Sequence, residues 1–146
     1  MKIYLDNCCY NRPYDNQEQF RISIEAQAKM YIQRLIRDGK VDLVSSYVLR
    51  YEISRNPHIS TRANILSFVD RYSSLYVGAA KMEQIGIMAK EIEKTGVKTL
   101  DSLHIACAID AGADWFLTTD DRILKYGDVR IRIANPIDFI KEAEVL

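Results

Sequence analysis

The 146-residue sequence is short of the residues that build zinc sites, disulfide frameworks and membrane spans. It has three cysteines and two histidines. Cys8 and Cys9 are adjacent and badly placed to bridge each other, and neither a CxxC pair nor metal-spaced histidines occur, so a zinc site has no support. A small, odd number of cysteines suits a reducing compartment. No apolar run approaches the ~18 residues of a membrane helix. The stretch MKIYLDNCCYNRPYDN turns polar after five residues and lacks the apolar centre of a secretory signal. A soluble, cytoplasmic protein with no membrane partner is therefore expected. GxxxxGK[ST] and GxGxxG are absent, which removes support for nucleoside-triphosphate and dinucleotide enzymes. Neither Cys8 nor Cys9 starts a CxxxxxR phosphatase loop, and there is no internal repeat, low-complexity tract or linker. Excess charge is missing too: 20 basic residues balance 20 acidic ones. That argues against a protein that coats a phosphate backbone, and less against an enzyme that needs only local charge.

What is present suits one ordinary domain, residues 1–146, with 48% hydrophobic residues to fill a core. Apolar periodicity predicts strands at 2–6, 41–46, 75–77 (read as buried), 114–118 and 130–133. It predicts helices at 18–38, 47–55, 60–72, 79–94, 101–112 and 137–143. Gly39 and Gly96 serve as helix stops, Ser45 or Ser46 and Asp101 as caps, and Pro57 as a terminator. Residues 7–16, rich in Asn, Arg, Pro and Asp, read as a loop. Alternating strands and helices imply an α/β fold with a parallel sheet covered on both faces. Ligands of such sheets gather beyond the carboxyl ends of the strands.

Acidic residues stand at those places. Asp6 ends KIYLD, Asp120 follows DWFLTT, Asp101 starts a helix after GVKT, and Glu52 lies in the helix after the second strand. Mg²⁺ and Mn²⁺ prefer hard oxygen ligands, and a divalent ion relieves the repulsion of gathered carboxylates. Each acid also has a bland explanation. Asp101 reads as a helix cap, Asp120 as a turn former, Asp6 as a solvated strand end and Glu52 as a solvated helix position.

The ordered segments IYLDNCCYNRP, SYVLRYEI, LDSLHIACAIDAGADWFLTTDDRIL and NPIDFI resemble the PIN-domain nucleases, and among them the VapC-like toxins of toxin–antitoxin pairs. The stretch 100–124 carries most of the specificity: an Asp-x-x-His helix, a strand and a Thr-x-Asp turn. The resemblance implies a three-layer α/β/α sandwich and a Mg²⁺- or Mn²⁺-dependent endoribonuclease. It implies Asp6, Glu52, Asp101 and Asp120 as metal-holding catalytic acids, Glu52 directly or through water, with Thr118 beside the last. Asn7 stands where the family commonly has Ser or Thr, a change of contact rather than a loss. An antitoxin partner is likewise implied, as is inhibition by a basic side chain inserted near the acids.

Other residues admit two readings. Asp121 is an alternative to Asp120. His104 is either a ligand or, in the simpler reading, a packed, hydrogen-bonded helix residue. Arg12 and Arg50 are candidate RNA phosphate contacts against a default of solvated surface. Tyr10, Tyr14, Tyr47 and Tyr51 suit base stacking or, more plainly, core and interface. Cys8 and Cys9 read as small apolar or loop residues. The surplus of apolar and tyrosine residues in 19–36 and 59–72 leads to the expectation of a homodimer. Two rivals remain: another acidic-pocket phosphate hydrolase, and a non-catalytic RNA- or protein-binding module of this fold. Asp6-Asn7-Cys8 lacks the second acid of a haloacid-type phosphatase, and RIRIAN offers no receiver-type Lys.

Overall fold

A computed structural model describes residues 1–143; the last three residues of the expected domain lie outside the described residues. Five strands form the centre: β1 (Lys2–Leu5), β2 (Asp42–Ser46), β3 (Ser73–Val77), β4 (Trp115–Leu117) and β5 (Arg132–Ala134). The helices are α1 (Asn7–Asn11), α2 (Phe20–Arg37), α3 (Tyr47–Ser54), α4 (Ile59–Tyr72), α5 (Met82–Glu93), α6 (Thr99–Asp110), α7 (Asp121–Leu124) and α8 (Pro136–Glu142). The strands lie in the order β3-β2-β1-β4-β5, and every pairing is parallel.

The three inner strands are buried along nearly their whole length, as strands covered on both faces must be. Tyr4 of β1 stacks on Phe116 of β4, with centroids 5.4 Å apart, and Trp115 meets Phe139 of α8 edge to face. The chain steps from β1 to β2 to β3, then returns past β1 to β4 and β5. Right-handed crossovers put the helices of these two directions of travel on opposite faces, which makes a three-layer α/β/α sandwich. No helix among the described residues is long and apolar enough to cross a membrane.

Most elements fall where the periodicity places them. Gly39, at φ 71, ends α2, and Ser46 rather than Ser45 caps α3 by accepting from the Leu49 N–H at 3.1 Å. Four expectations need correction. Residues 7–16 are not a plain loop: α1 forms there, capped by Asp6, and a 3-10 turn follows at Arg12–Tyr14. Burial of Cys9 and Tyr10 holds that turn of helix against weak local propensity. β3 is an edge strand with Leu75 and Tyr76 exposed, not a buried one. The last strand is Arg132–Ala134, because Asp128 ties down a turn through Tyr126 and Arg130 before it. Finally, α6 starts at Thr99, so Asp101 is its third residue and not its cap.

Candidate active site

The order of travel reverses beside β1, and a crevice opens outside the strand ends at such a switch point. Asp6 directly follows β1, and Thr118, Thr119 and Asp120 follow β4, so these two segments flank the crevice. Glu52 arrives on α3, directly after β2. α6 leads back to the start of β4, which leaves its N-terminal turn, with Asp101, at the carboxyl end of the sheet.

Asp6 is buried, at 5% exposure, and its carboxylate is held by donors on both oxygens. The Asn7 N–H donates to Oδ1 at 2.8 Å, and the Thr118 hydroxyl donates to Oδ2 at 2.8 Å. The Cys8 thiol donates to the same Oδ2 at 3.3 Å. Thr118 also accepts from the Asp120 N–H at 3.1 Å, so one hydroxyl ties the two flanks of the crevice together.

Glu52 is gripped as firmly. The Asn7 amide donates to Oε2 at 2.7 Å, and His104 Nε2 lies 2.6 Å from Oε1. Burial opposes ionisation of Glu52, but the bonds from His104 and Asn7 win, and its carboxyl sits below its usual range. An ionised carboxylate only accepts, so His104 Nε2 carries the proton. For the neutral imidazole, Nδ1 then accepts from the Tyr4 hydroxyl, 2.7 Å away, and Tyr4 in turn accepts from Ser46, 2.6 Å away. A buried donor chain thus runs from the cap of α3 through Ser46, Tyr4 and His104 back to Glu52 on the same helix.

Asp101 is the acid without a partner: it accepts no hydrogen bond from any described residue. Burial first, then repulsion from Asp6 and Asp120, push its carboxyl up to about 6, with Glu52 adding to the rise and His104 opposing it. That coupling places the four acids in one electrostatic neighbourhood. Asp120 caps α7 through the Arg122 N–H at 2.9 Å and pairs with the Arg122 guanidinium at 3.3 Å. Its carboxyl is lowered because these bonds outweigh its desolvation.

The donor set fits a hard divalent ion. Asp6, Glu52 and His104 each bring a ligand atom, all within 4.8 Å of one another. His104 is the wrong member of that trio, because its Nε2 proton is committed to Glu52 and its ring is fully buried. The carboxylates of Asp6 and Glu52, with those of Asp101 and Asp120 in the same electrostatic neighbourhood, are the groups that could hold a divalent cation. A cation there would offset the repulsion that unsettles Asp101.

The remaining site expectations fall unevenly. Arg12 lies near the crevice, engaged with Glu25 at 2.9 Å and Asp15 at 3.0 Å. Arg50 is paired with Asp70. Asp121 is exposed and clamped by Arg21 through two bonds of 2.8 Å, pointing to Arg21 rather than to the other acids. Tyr10 is core, while Tyr14 and Tyr51 are about half exposed. Sequence reasoning missed the Ser46–Tyr4–His104 chain, the thiol contact of Cys8 and the rim pair Arg21–Asp121. The one available signal was the hydroxyls of Tyr4 and Ser46 inside strands expected to be covered on both faces.

A family model of the PIN domain matches residues 3–129, and the chain belongs to the PIN domain family. PIN domains are generally nucleases, and they generally use divalent metals. Among curated protein sequences none matches this chain. Solved structures with the same fold include VapBC2 from Rickettsia felis bound to a DNA fragment from its promoter, at 16% identity and TM-score 0.56, covering 92% of this chain and 98% of that one. FitAcB from Neisseria gonorrhoeae is also similar, at 18% identity and TM-score 0.50, with the same two coverages of 92% and 98%.

Proposed function

We propose that this protein is a Mg²⁺- or Mn²⁺-dependent endoribonuclease that hydrolyses RNA phosphodiester bonds, and that it is the toxin of a toxin–antitoxin pair. The observation that carries the reading is the Asp101 carboxylate, without a partner among the described residues and raised first by its burial and then by Asp6 and Asp120, at the switch point of a PIN fold. Acids that merely cap helices have no reason to be gathered against their own repulsion.

When bound, the divalent ion supplies Lewis acidity toward the phosphate and acidifies a coordinated water. The chain's own residues set the stage. Asp6 is fixed by Thr118 and Asn7, so its free lone pairs face a defined direction. Glu52 is kept ionised and oriented by Asn7 and His104, ready to hold a proton or a water. Preorganisation of this kind avoids reorganising the groups during the reaction. Cleavage of a single-stranded RNA by wild-type protein with Mn²⁺, abolished by EDTA and restored by excess metal, tests the proposal. Cleavage indifferent to EDTA contradicts it.

The toxin role takes its support from the family and from the similar VapBC2 and FitAcB structures. A clustered acidic site attracts a guanidinium, and bidentate pairing would fix an antitoxin arginine there. A co-purified partner that binds equally well after Asp6 and Asp101 are both changed to Asn would exclude that contact. The reading includes a homodimer, since α2 and α4 leave Phe20, Met30 and Ile59 exposed. A monomer by light scattering at micromolar concentration would exclude it.

A further inference from the structure

Away from the acids, a cavity of about 350 Å³ lies between α2 and α4, with Tyr10 of α1 in its wall. Lys29 of α2 is buried there, at 5% exposure. Its ammonium donates one bond, to Gln33 Oε1 at 2.6 Å, and sits 5.5 Å from the Tyr10 ring centroid and 5.7 Å from that of Phe68. An ammonium has three donors, so two are unused. No carboxylate of a described residue pairs with it, and the cavity wall holds no Asp or Glu.

Two more cations, at exposed positions, line the same cavity without an anionic partner. Arg37 stacks over Phe68 at 5.8 Å and Arg71 over Tyr72 at 5.4 Å, and neither forms an ion pair with a described residue. The Tyr10 hydroxyl, buried in the cavity wall, has no hydrogen-bond partner among the described residues. Burial, followed by repulsion from Arg37, pulls the Lys29 ammonium down to about 8 despite the opposing influence of Cys9. A buried charge is stable when paired, and this one is not.

We propose that this cavity is a binding site for the phosphate group of a small phosphate ester, received by Lys29 with Arg37 and Arg71. A tetrahedral dianion matches several convergent cationic donors better than a carboxylate does. The space exceeds a bare ion, and the faces of Phe68 and Tyr72 and the half-exposed Tyr14 offer stacking surface for a ring. The site is separate from the acidic crevice and does not depend on the nuclease reading.

The test uses the full chain in EDTA, so that no metal recruits phosphate to the acids. Melting curves and calorimetry are run with inorganic phosphate, with adenosine 5′-monophosphate and with acetate, at matched ionic strength. The expected result is a saturable rise in Tm with phosphate or the nucleotide and none with acetate. A larger rise with the nucleotide assigns the ester as ligand, and an equal rise assigns free phosphate; both support the phosphate site. Lys29→Met should weaken binding by about tenfold or more, as loss of a charge-assisted bond does. Arg71→Gln, at an exposed position that leaves the fold intact, should weaken it severalfold, and Asp101→Asn should leave it unchanged. An equal rise with acetate, no rise with any anion, or full binding in Arg71→Gln would overturn the proposal.

Discussion

The crevice at the strand ends and the cavity between α2 and α4 are electrostatic opposites inside a chain of zero net charge. In the crevice, Asp120 pairs with Arg122 and Glu52 with the His104 imidazole, while Asp6 and Asp101 form no ion pair with a described residue. In the cavity, Lys29, Arg37 and Arg71 meet no carboxylate. The two regions handle the strain differently. Asp6 and Glu52 are held by hydrogen bonds from Thr118, Asn7 and His104, which fix the direction of each carboxylate. The cations of the cavity rest on aromatic faces, which lower their cost without supplying an anion. A balanced composition therefore says little about local fields, and each region calls for a ligand of the opposite sign.

The contrast breaks most visibly in catalysis. Asp6→Asn and Asp120→Asn should each reduce RNA cleavage by about a hundredfold or more, and the double variant should be barely worse than either, since groups acting as one unit are not additive. Rates of the two singles and the double decide this, and multiplicative losses would separate the acids.

The cavity gives the next largest effect. Lys29 binds its proton less tightly in the fold, at about 8, than its ordinary 10.5. In phosphate-free buffer its charge therefore costs stability at all pH values below the folded value, and the cost fades as pH climbs through the interval. Lys29→Met should stabilise the protein by about 2–3 kcal/mol near neutrality. Denaturant melts at neutral and alkaline pH would show the gain shrinking upward, and a pH-independent loss would contradict it.

Tyr4→Phe removes the hydroxyl that joins Ser46 to His104. It should cost about 1–3 kcal/mol, because buried polar atoms lose their partner. It should also lower cleavage, because Glu52 loses its orienter's anchor; unchanged stability and rate would make the chain ornamental.

The smallest effect is the most diagnostic of repulsion. The Asp101 carboxyl is raised from its ordinary 3.8 to about 6. Its ionisation therefore costs the metal-free fold nothing below the ordinary value and its full amount above the folded one. Asp101→Asn should stabilise metal-free protein by about 1 kcal/mol at neutral pH, after allowing for solvent screening of a half-exposed group, and by nothing at acidic pH. Added Mn²⁺ should reverse the order and favour wild type.

The crevice was largely legible because its logic is topological. Asp6 and Asp120 sit just past apolar strands, and any parallel sheet brings such positions to one edge. The Asp-x-x-His spacing at Asp101 and His104 signalled a shared helix face. The donor chain was not legible, since pairing Tyr4 with His104 joins residues a hundred positions apart. α1 was lost because Asn7 and Asn11 read as breakers, while the burial that forms it is tertiary. The cavity was the least readable feature. Lys29, Arg37 and Arg71 look like solvated helix positions, and the burial of Lys29 against Tyr10 of α1 and Phe68 of α4 is tertiary.

Asp101→Asn tests the central claim most directly, because Asp101 has no cap to lose and no hydrogen bond to break. The measurement is the rate of single-stranded RNA cleavage in Mn²⁺ for wild type and Asp101→Asn, with a melting curve for each. The account predicts near-complete loss of cleavage in a variant that melts no lower than wild type without metal. Wild-type cleavage by a folded Asp101→Asn protein would contradict it.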